Sequence, residues 1–92
     1  MIPSGARVRI TKVSEETSWL EGRLVETPIV GHTLQLERTA RAKRYETEPD
    51  RVEIAGWYVS SPVTEILERP DGSVACKTAN GHWNITILPD SP

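Results

Sequence analysis

The segment RTARAKRYETEPDR, residues 38–51, carries the side chains of this sequence that are best suited to bind a ligand. Four cations fall within seven residues and a tyrosine follows them: Arg38, Arg41, Lys43, Arg44 and Tyr45. Guanidinium and ammonium groups pair with phosphates, and an aromatic ring stacks on an exposed base. The segment therefore predicts a nucleic-acid-facing loop or short helix.

The charges of this segment also favour a different interpretation. The stretch from Glu37 to Glu53, with both ends included, contains five cations and five anions, so it is neutral as a whole. Charges within a Debye length of about 8–10 Å largely cancel at a distance. If residues 40–46 are helical, Thr39 caps the helix and Pro49 ends it. A solvated helix or a self-paired loop is therefore the alternative to a binding arm.

The aromatic residues form a second set of candidates. Trp19 falls on the outward face of its predicted strand, and one ring of the pair Trp57 and Tyr58 must face outward if that segment is extended. Tryptophan and tyrosine are common at recognition hot spots because they bury a large area at a small entropic cost. These rings are therefore expected either to mark a partner-binding face or to be covered by a loop of their own domain.

Residue types that catalyse reactions or bind metals are few and scattered. His32 and His82 are the only histidines, and Cys76 is the only cysteine and is expected to be a small buried hydrophobe. The acidic pairs lie in predicted turns or among polar neighbours: Glu15 and Glu16, Glu46 and Glu48, Glu65 and Glu68. We therefore expect no enzymatic activity, no metal site and no cofactor.

Apolar and polar residues alternate along most of the chain, which is the pattern of half-buried strands. In the first strand, Val8 and Ile10 point inward while Arg7 and Arg9 point outward. Residues 14–18 are predicted to be a polar turn. The later inward positions include Leu20, Gly22, Leu24, Leu34, Leu36, Val52 and Ile54, and the glycine inside a strand predicts a bulge or bend.

Two turn signals divide the C-terminal third. Asp71-Gly72 and Asn80-Gly81 predict hairpins with type I′ turns, so Val63 to Leu88 is expected to form a three-stranded meander. Residues 61–69 fit two structures, a strand or a helix that starts at Pro62. The strand requires a bulge to bring Val63 and Ile66 to the same face.

Length and composition complete the fold prediction. Ninety-two residues with 37% apolar content form one domain, taken as residues 1–92. About six short strands predict an all-β fold, a small antiparallel barrel that is SH3-like or OB-like, with one short helix near 39–46 as an option. The net charge of −2 disfavours a protein devoted to phosphate backbones. No signal peptide or membrane segment is predicted, so the expected location is cytoplasmic.

The C-terminal block SSPVTEILERPDGSVACKTANGHWNITIL resembles the closing hairpins of small uncharacterised bacterial and phage proteins. Those proteins carry a Ser-Pro-Val strand, then a Thr-x-Asn turn and an aromatic residue. The matching residues here are Ser61, Pro62, Val63, Thr78, Asn80 and Trp83. The resemblance covers about a third of the chain and implies an all-β domain in a bacterial or phage setting.

Taken together, the sequence predicts a non-enzymatic module that binds a protein partner, such as a phage- or plasmid-encoded modulator of a larger host protein machine. The alternative is a nucleic-acid-binding barrel that uses the cluster from Arg38 to Arg44 together with Arg7 and Arg9. A structural subunit of a larger assembly is a third interpretation, which the sequence does not distinguish from the first.

Overall fold

The computed structural model describes residues 2–42 and 50–89, and for residues 15–17 it describes the backbone alone. Its strands are β1 (Arg7–Lys12), β2 (Glu15–Leu24), β3 (Thr33–Ala42), β4 (Arg51–Glu68), β5 (Val74–Thr78) and β6 (Gly81–Ile87). Each strand pairs antiparallel with the next, and β6 pairs with β1, so the sheet closes into a barrel. The predicted all-β fold, a small antiparallel barrel of about six strands, is confirmed.

The core fills the inside of this barrel, as the alternation predicted for most positions. Ile54, which was predicted to point inward, is instead exposed, at a point where the register between β3 and β4 shifts. Val8 and Ile10 of β1 are fully buried, and Ile10 faces Ile85 of β6 across the closing pair. Burying one such side chain stabilises the fold by about 1.5–3 kcal/mol. The other buried members of the cluster are Ile2, Leu24, Leu34, Leu36, Val63, Val74 and Cys76.

Gly22 marks the bend that the sequence predicted in β2. A Cβ atom at this position would lie 2.1 Å from the backbone oxygen of Glu37, so only glycine lets β3 approach so closely. The register between β2 and β3 shifts between Glu21 and Gly22, and the extra residue on β3 is Thr39. A bulge of this kind increases the local twist and helps a small sheet to close.

Two predictions near these strands are wrong. Residues 39–42 do not begin a helix but end β3, because Ala40, Arg41 and Ala42 pair with β4. The rest of the optional helix, residues 43–46, lies outside the described residues. The polar turn is also shorter than predicted, since β2 already begins at Glu15, which pairs with Lys12.

The stretch that fitted both strand and helix is strand. It forms the C-terminal end of β4, an 18-residue strand in which residues 51–62 pair with β3 and residues 63–68 pair with β5. The register to β5 shifts between Val63 and Glu65, and this bulge brings Ile66 back against the core beside buried Val63.

Both predicted hairpins are present, which confirms the C-terminal meander, but the type I′ prediction is wrong. A type I′ turn needs positive φ at both central residues, and none of the described non-glycine residues has a positive φ. In the first hairpin Gly72 alone has it, at 89°, and its amide donates to the Arg69 carbonyl at 3.0 Å. In the second, Thr78 pairs with Gly81, so Ala79 and Asn80 make the turn.

Candidate functional site

The residues that the sequence singled out lie in three different places. Arg7, Arg9 and Trp19 share the outer face of β1 and β2, whereas Arg38 lies on the inner face of β3. Trp57 and Tyr58 lie on opposite faces of β4. Lys43, Arg44 and Tyr45 fall outside the described residues. The structure therefore does not bring Arg38 into one cationic patch with Arg7 and Arg9.

Glu21 is the centre of the first group. The register places it opposite Arg9, and its side chain is only 2% exposed. Arg9 Nε donates to Glu21 Oε2 at 2.8 Å, and a second nitrogen of the same guanidinium also bonds it. Arg51 NH1 donates to Oε1 at 2.6 Å, and Arg7 NH2 lies 3.8 Å from that oxygen. Three arginines from two strands, β1 and β4, thus converge on one buried carboxylate.

The environment of Glu21 acts on its pKa in two directions. Burial alone raises the pKa, because it disfavours the charged form. Hydrogen bonds from Arg9 and Arg51, together with their positive charges, outweigh that effect and hold the pKa of Glu21 below its ordinary value. The carboxylate therefore stays ionised and keeps both guanidinium groups engaged.

Trp19 covers this network from outside. The Arg9 guanidinium carbon lies 4.2 Å from the centre of the indole ring, and that of Arg51 lies 5.8 Å from it. Both distances suit a cation–π contact. The outward orientation predicted for Trp19 is confirmed, but the ring packs against side chains of its own domain. We therefore interpret the Glu21 network as a stabilising element of the barrel wall.

Sequence analysis missed Glu21 and Arg51 as members of this group. A signal was present for Glu21. It alternates with inward residues, so it points outward, and the preceding strand carries Arg7 and Arg9 on its outward face. Arg51 carried no such signal. It lies thirty positions from Glu21 in the chain, and only the pairing of β3 with both β2 and β4 brings it close.

Arg38 lies in an unusual position on the inner face of the sheet. It pairs with Gly22 of β2 on one side and with Gly56 of β4 on the other. A Cβ atom at Gly56 would lie 2.6 Å from NH2 of Arg38, so the guanidinium extends over the glycine. Its Nε is shielded from solvent and finds no hydrogen-bond acceptor within the described residues. Arg41 is directed elsewhere, with NH1 donating to the Ala42 carbonyl at 2.9 Å.

The part of β4 that pairs with β3, residues 51–62, carries the most exposed aromatic ring of the described residues. Trp57 is 67% exposed, and Val59, two positions along the same face, is 58% exposed. Tyr58 points the other way and meets Trp83 edge-on, with ring centres 5.9 Å apart; burial raises the pKa of its hydroxyl. The expectation that one ring of this pair faces outward is confirmed for Trp57.

The same part of β4, residues 51–62, has one edge without a partner strand among the described residues. Its other edge pairs with β3, but pairing with β5 begins only at Val63. Among the strands, β4 comes close only to β3 and β5. The backbone from Arg51 to Pro62 therefore offers a free sheet edge beside Trp57 and Val59.

The reactive side chains show no catalytic arrangement in the part of the chain that is described. His32 Nδ1 lies 3.0 Å from Glu26 Oε1 in an exposed pair. Cys76 is buried, and burial raises the pKa of its thiol to about 11. His82 and Glu65 border a shallow groove of about 340 Å³, but Glu65 pairs with Lys77 at 3.3 Å. No three His, Cys, Asp or Glu side chains of the described residues gather as metal ligands.

No protein-family model, curated protein or solved structure matches this chain. Among the described residues, the structure has no helix of the length and apolarity needed to cross a membrane.

Proposed function

We propose that this chain is a non-enzymatic protein-interaction module that holds an extended segment of a partner along the free edge of β4. The observation that carries this proposal is the exposure of Trp57 next to the edge of β4 that faces away from β3. Along residues 51–62 this edge lacks a partner strand among the described residues. A sheet edge offers main-chain donors and acceptors to an added strand, and side chains beside the edge select its sequence.

The side chains next to this edge suit a polypeptide. Trp57 and Val59 present apolar surface on the outer face, where alternate residues of an added strand would lie. On the neighbouring strand β3, Glu37 pairs with Trp57 and Gln35 pairs with Val59. An anionic neighbour of this kind repels a phosphate backbone, whereas a rigid indole ring is a frequent anchor for a protein chain.

The nucleic-acid alternative has less support from the described arginines. Arg9 and Arg51 direct hydrogen bonds to Glu21, which removes donors that phosphates would need. Arg38 lies on the opposite face of the sheet, so it cannot join Arg7 and Arg9 in one phosphate-tracking groove. The net charge of −2 points in the same direction.

Selection of displayed random decapeptides against the immobilised chain tests the proposal. We expect the selection to yield peptides that bind the wild type and the control variant Leu67→Thr with equal affinity. The same peptides should bind Trp57→Thr at least about tenfold more weakly than the wild type. Leu67 is a matched control because it is also an exposed apolar residue of β4, at 61%, in the part that pairs with β5. Equal binding to both variants would contradict the proposed surface.

Fluorescence polarisation with single- and double-stranded oligonucleotides, at low and moderate salt, tests the alternative. We expect no binding at low salt. Binding that falls steeply with salt and is lost in Arg41→Ala combined with Arg44→Ala would instead favour the nucleic-acid function.

A further inference from the structure

The free edge of β4 has a charge on its inner side that indicates which peptides it would select. Gly22, Arg38 and Gly56 form one cross-strand row on the inner face, with Gly56 at the edge. Because Gly56 has no side chain, the Arg38 guanidinium extends over it, with NH2 2.6 Å from where a Cβ atom would lie. The positive charge of Arg38 thus extends from β3 over β4, toward the position that a strand added to the free edge of β4 would take.

Unlike Arg7, Arg9 and Arg51, Arg38 has no counter-ion within the described parts of the chain. Its Nε is excluded from solvent and has no acceptor, whereas Arg9 and Arg51 both donate to Glu21. A buried donor that lacks an acceptor is costly, and an ionised acceptor satisfies a guanidinium better than a neutral one.

We propose that the residue of the partner strand opposite Gly56 is an aspartate or glutamate, whose carboxylate pairs with Arg38. This inference rests on the proposed function, because it requires a strand along β4. Residues directly opposite in neighbouring strands have Cβ atoms about 4.5–5.5 Å apart and point to the same face. With no side chain at Gly56 in between, a carboxylate in that position reaches the guanidinium directly.

The residues on either side of Gly56 define the neighbours of this acidic residue. Ala55 and Trp57 flank Gly56 in the chain, and both are exposed. In an added strand the residues before and after the acidic one point to the outer face, where Trp57 offers apolar contact. The partner class is therefore an extended segment with an acidic residue between two apolar ones.

Three end-blocked heptapeptides test this selectivity: Val-Thr-Val-Glu-Val-Thr-Val and the versions with a central Gln or Lys. Affinity is measured by titration into the ¹⁵N-labelled chain, following the backbone amides of residues 51–62. We expect the Glu peptide to bind at least about tenfold more tightly than the Gln peptide, which is the factor expected from one charge-assisted hydrogen bond. The Lys peptide should bind most weakly.

Two variants assign this preference to Arg38. In Arg38→Gln the Glu and Gln peptides should bind equally. In Lys77→Gln, which removes the same charge from an exposed residue of β5 paired with Glu65, the preference should remain.

The possible results separate the inference from the proposed function. Equal binding of all three peptides at residues 51–62 overturns the acidic preference but supports the interaction surface. No response of these amides to any peptide overturns both. Concentration-dependent shifts of the same amides without peptide would show that a second copy of the chain takes the edge, and would overturn the assignment to an acidic partner segment.

Discussion

Arg38 of β3 and Gly56 of β4 form a cross-strand pair, and the Arg38 guanidinium occupies the space that a side chain at position 56 would fill. On the other side of Arg38, Gly22 is closed in by the backbone of Glu37. The two glycines of one row therefore have different roles. One permits the close approach of two strands, and the other leaves room for a cation at a sheet edge.

The first prediction contrasts alanine at these two glycines. Gly22→Ala should destabilise the fold by about 1–3 kcal/mol, because its Cβ meets a backbone oxygen that can move only with its strand. Gly56→Ala should cost less than about 1 kcal/mol, since its Cβ meets the end of a flexible side chain and alanine is less costly than glycine in a strand. Urea unfolding measures both free energies. Equal losses would contradict the assigned roles.

The second prediction concerns the acid stability of the Glu21 network. Because the folded-state pKa of Glu21 is lowered, its stabilisation is complete above its ordinary pKa of 4.5 and is lost as the pH falls through the lowered value. Glu21→Gln should cost about 1–3 kcal/mol at pH 7, and this difference should shrink below pH 4.5. Unfolding curves measured between pH 7 and pH 3 test this.

A control for that experiment is Glu53→Gln. Glu53 also pairs with Arg51, at 2.6 Å, but its side chain is 71% exposed. An exposed ion pair contributes about 0–1 kcal/mol, so this variant should follow the pH dependence of the wild type. If the free energies of unfolding of the wild type and Glu21→Gln differ by the same amount over the whole pH range, Glu21 does not stabilise the barrel through its charge.

The third prediction separates the two outer-face tryptophans. Trp19→Ala should destabilise the chain by about 2 kcal/mol or more, because it uncovers the Glu21 network and removes contacts with Arg9 and Arg51. Trp57→Ala should be nearly neutral for folding, as expected for a ring that is 67% exposed. Thermal unfolding of both variants checks this. A large loss for Trp57→Ala would mean that its ring supports the fold.

The fourth prediction uses Cys76 as a reporter of the core. Its side chain is buried and its thiol has a pKa raised to about 11, so little thiolate forms at pH 8. An aromatic disulfide reagent should label the native protein slowly and the urea-unfolded protein fast. Rapid labelling without urea would place Cys76 at an accessible position and contradict the described core.

Local alternation was enough to predict most of the barrel. Val8, Leu36 and Ile85 are buried as their two-residue spacing predicted, and both C-terminal hairpins join the strands that they were expected to join. The same alternation, continued one step beyond Leu36, would have placed Arg38 on the inner face. The cluster of four cations that begins at Arg38 suggested a loop or helix instead, but pairing with β4 extends the strand to Ala42.

Other features depended on contacts between distant parts of the chain. The burial of Glu21 requires Arg51, which the pairing of β3 with β4 brings into reach. The free edge of β4 follows from the lengths of two strands, because β5 ends at Thr78 opposite Val63 while β4 begins twelve residues earlier. Neither relationship can be read from local residue spacing.

Hydrogen exchange of the β4 amides is the most direct test of the proposed surface. In a strand, main-chain groups point alternately to the two edges, so only every second amide of residues 51–62 faces the free one. On addition of the Glu-containing heptapeptide we predict slower exchange at alternate amides in this range, with no change around Trp19. Unchanged exchange along β4, or protection confined to amides of β1 and β2, would contradict the account.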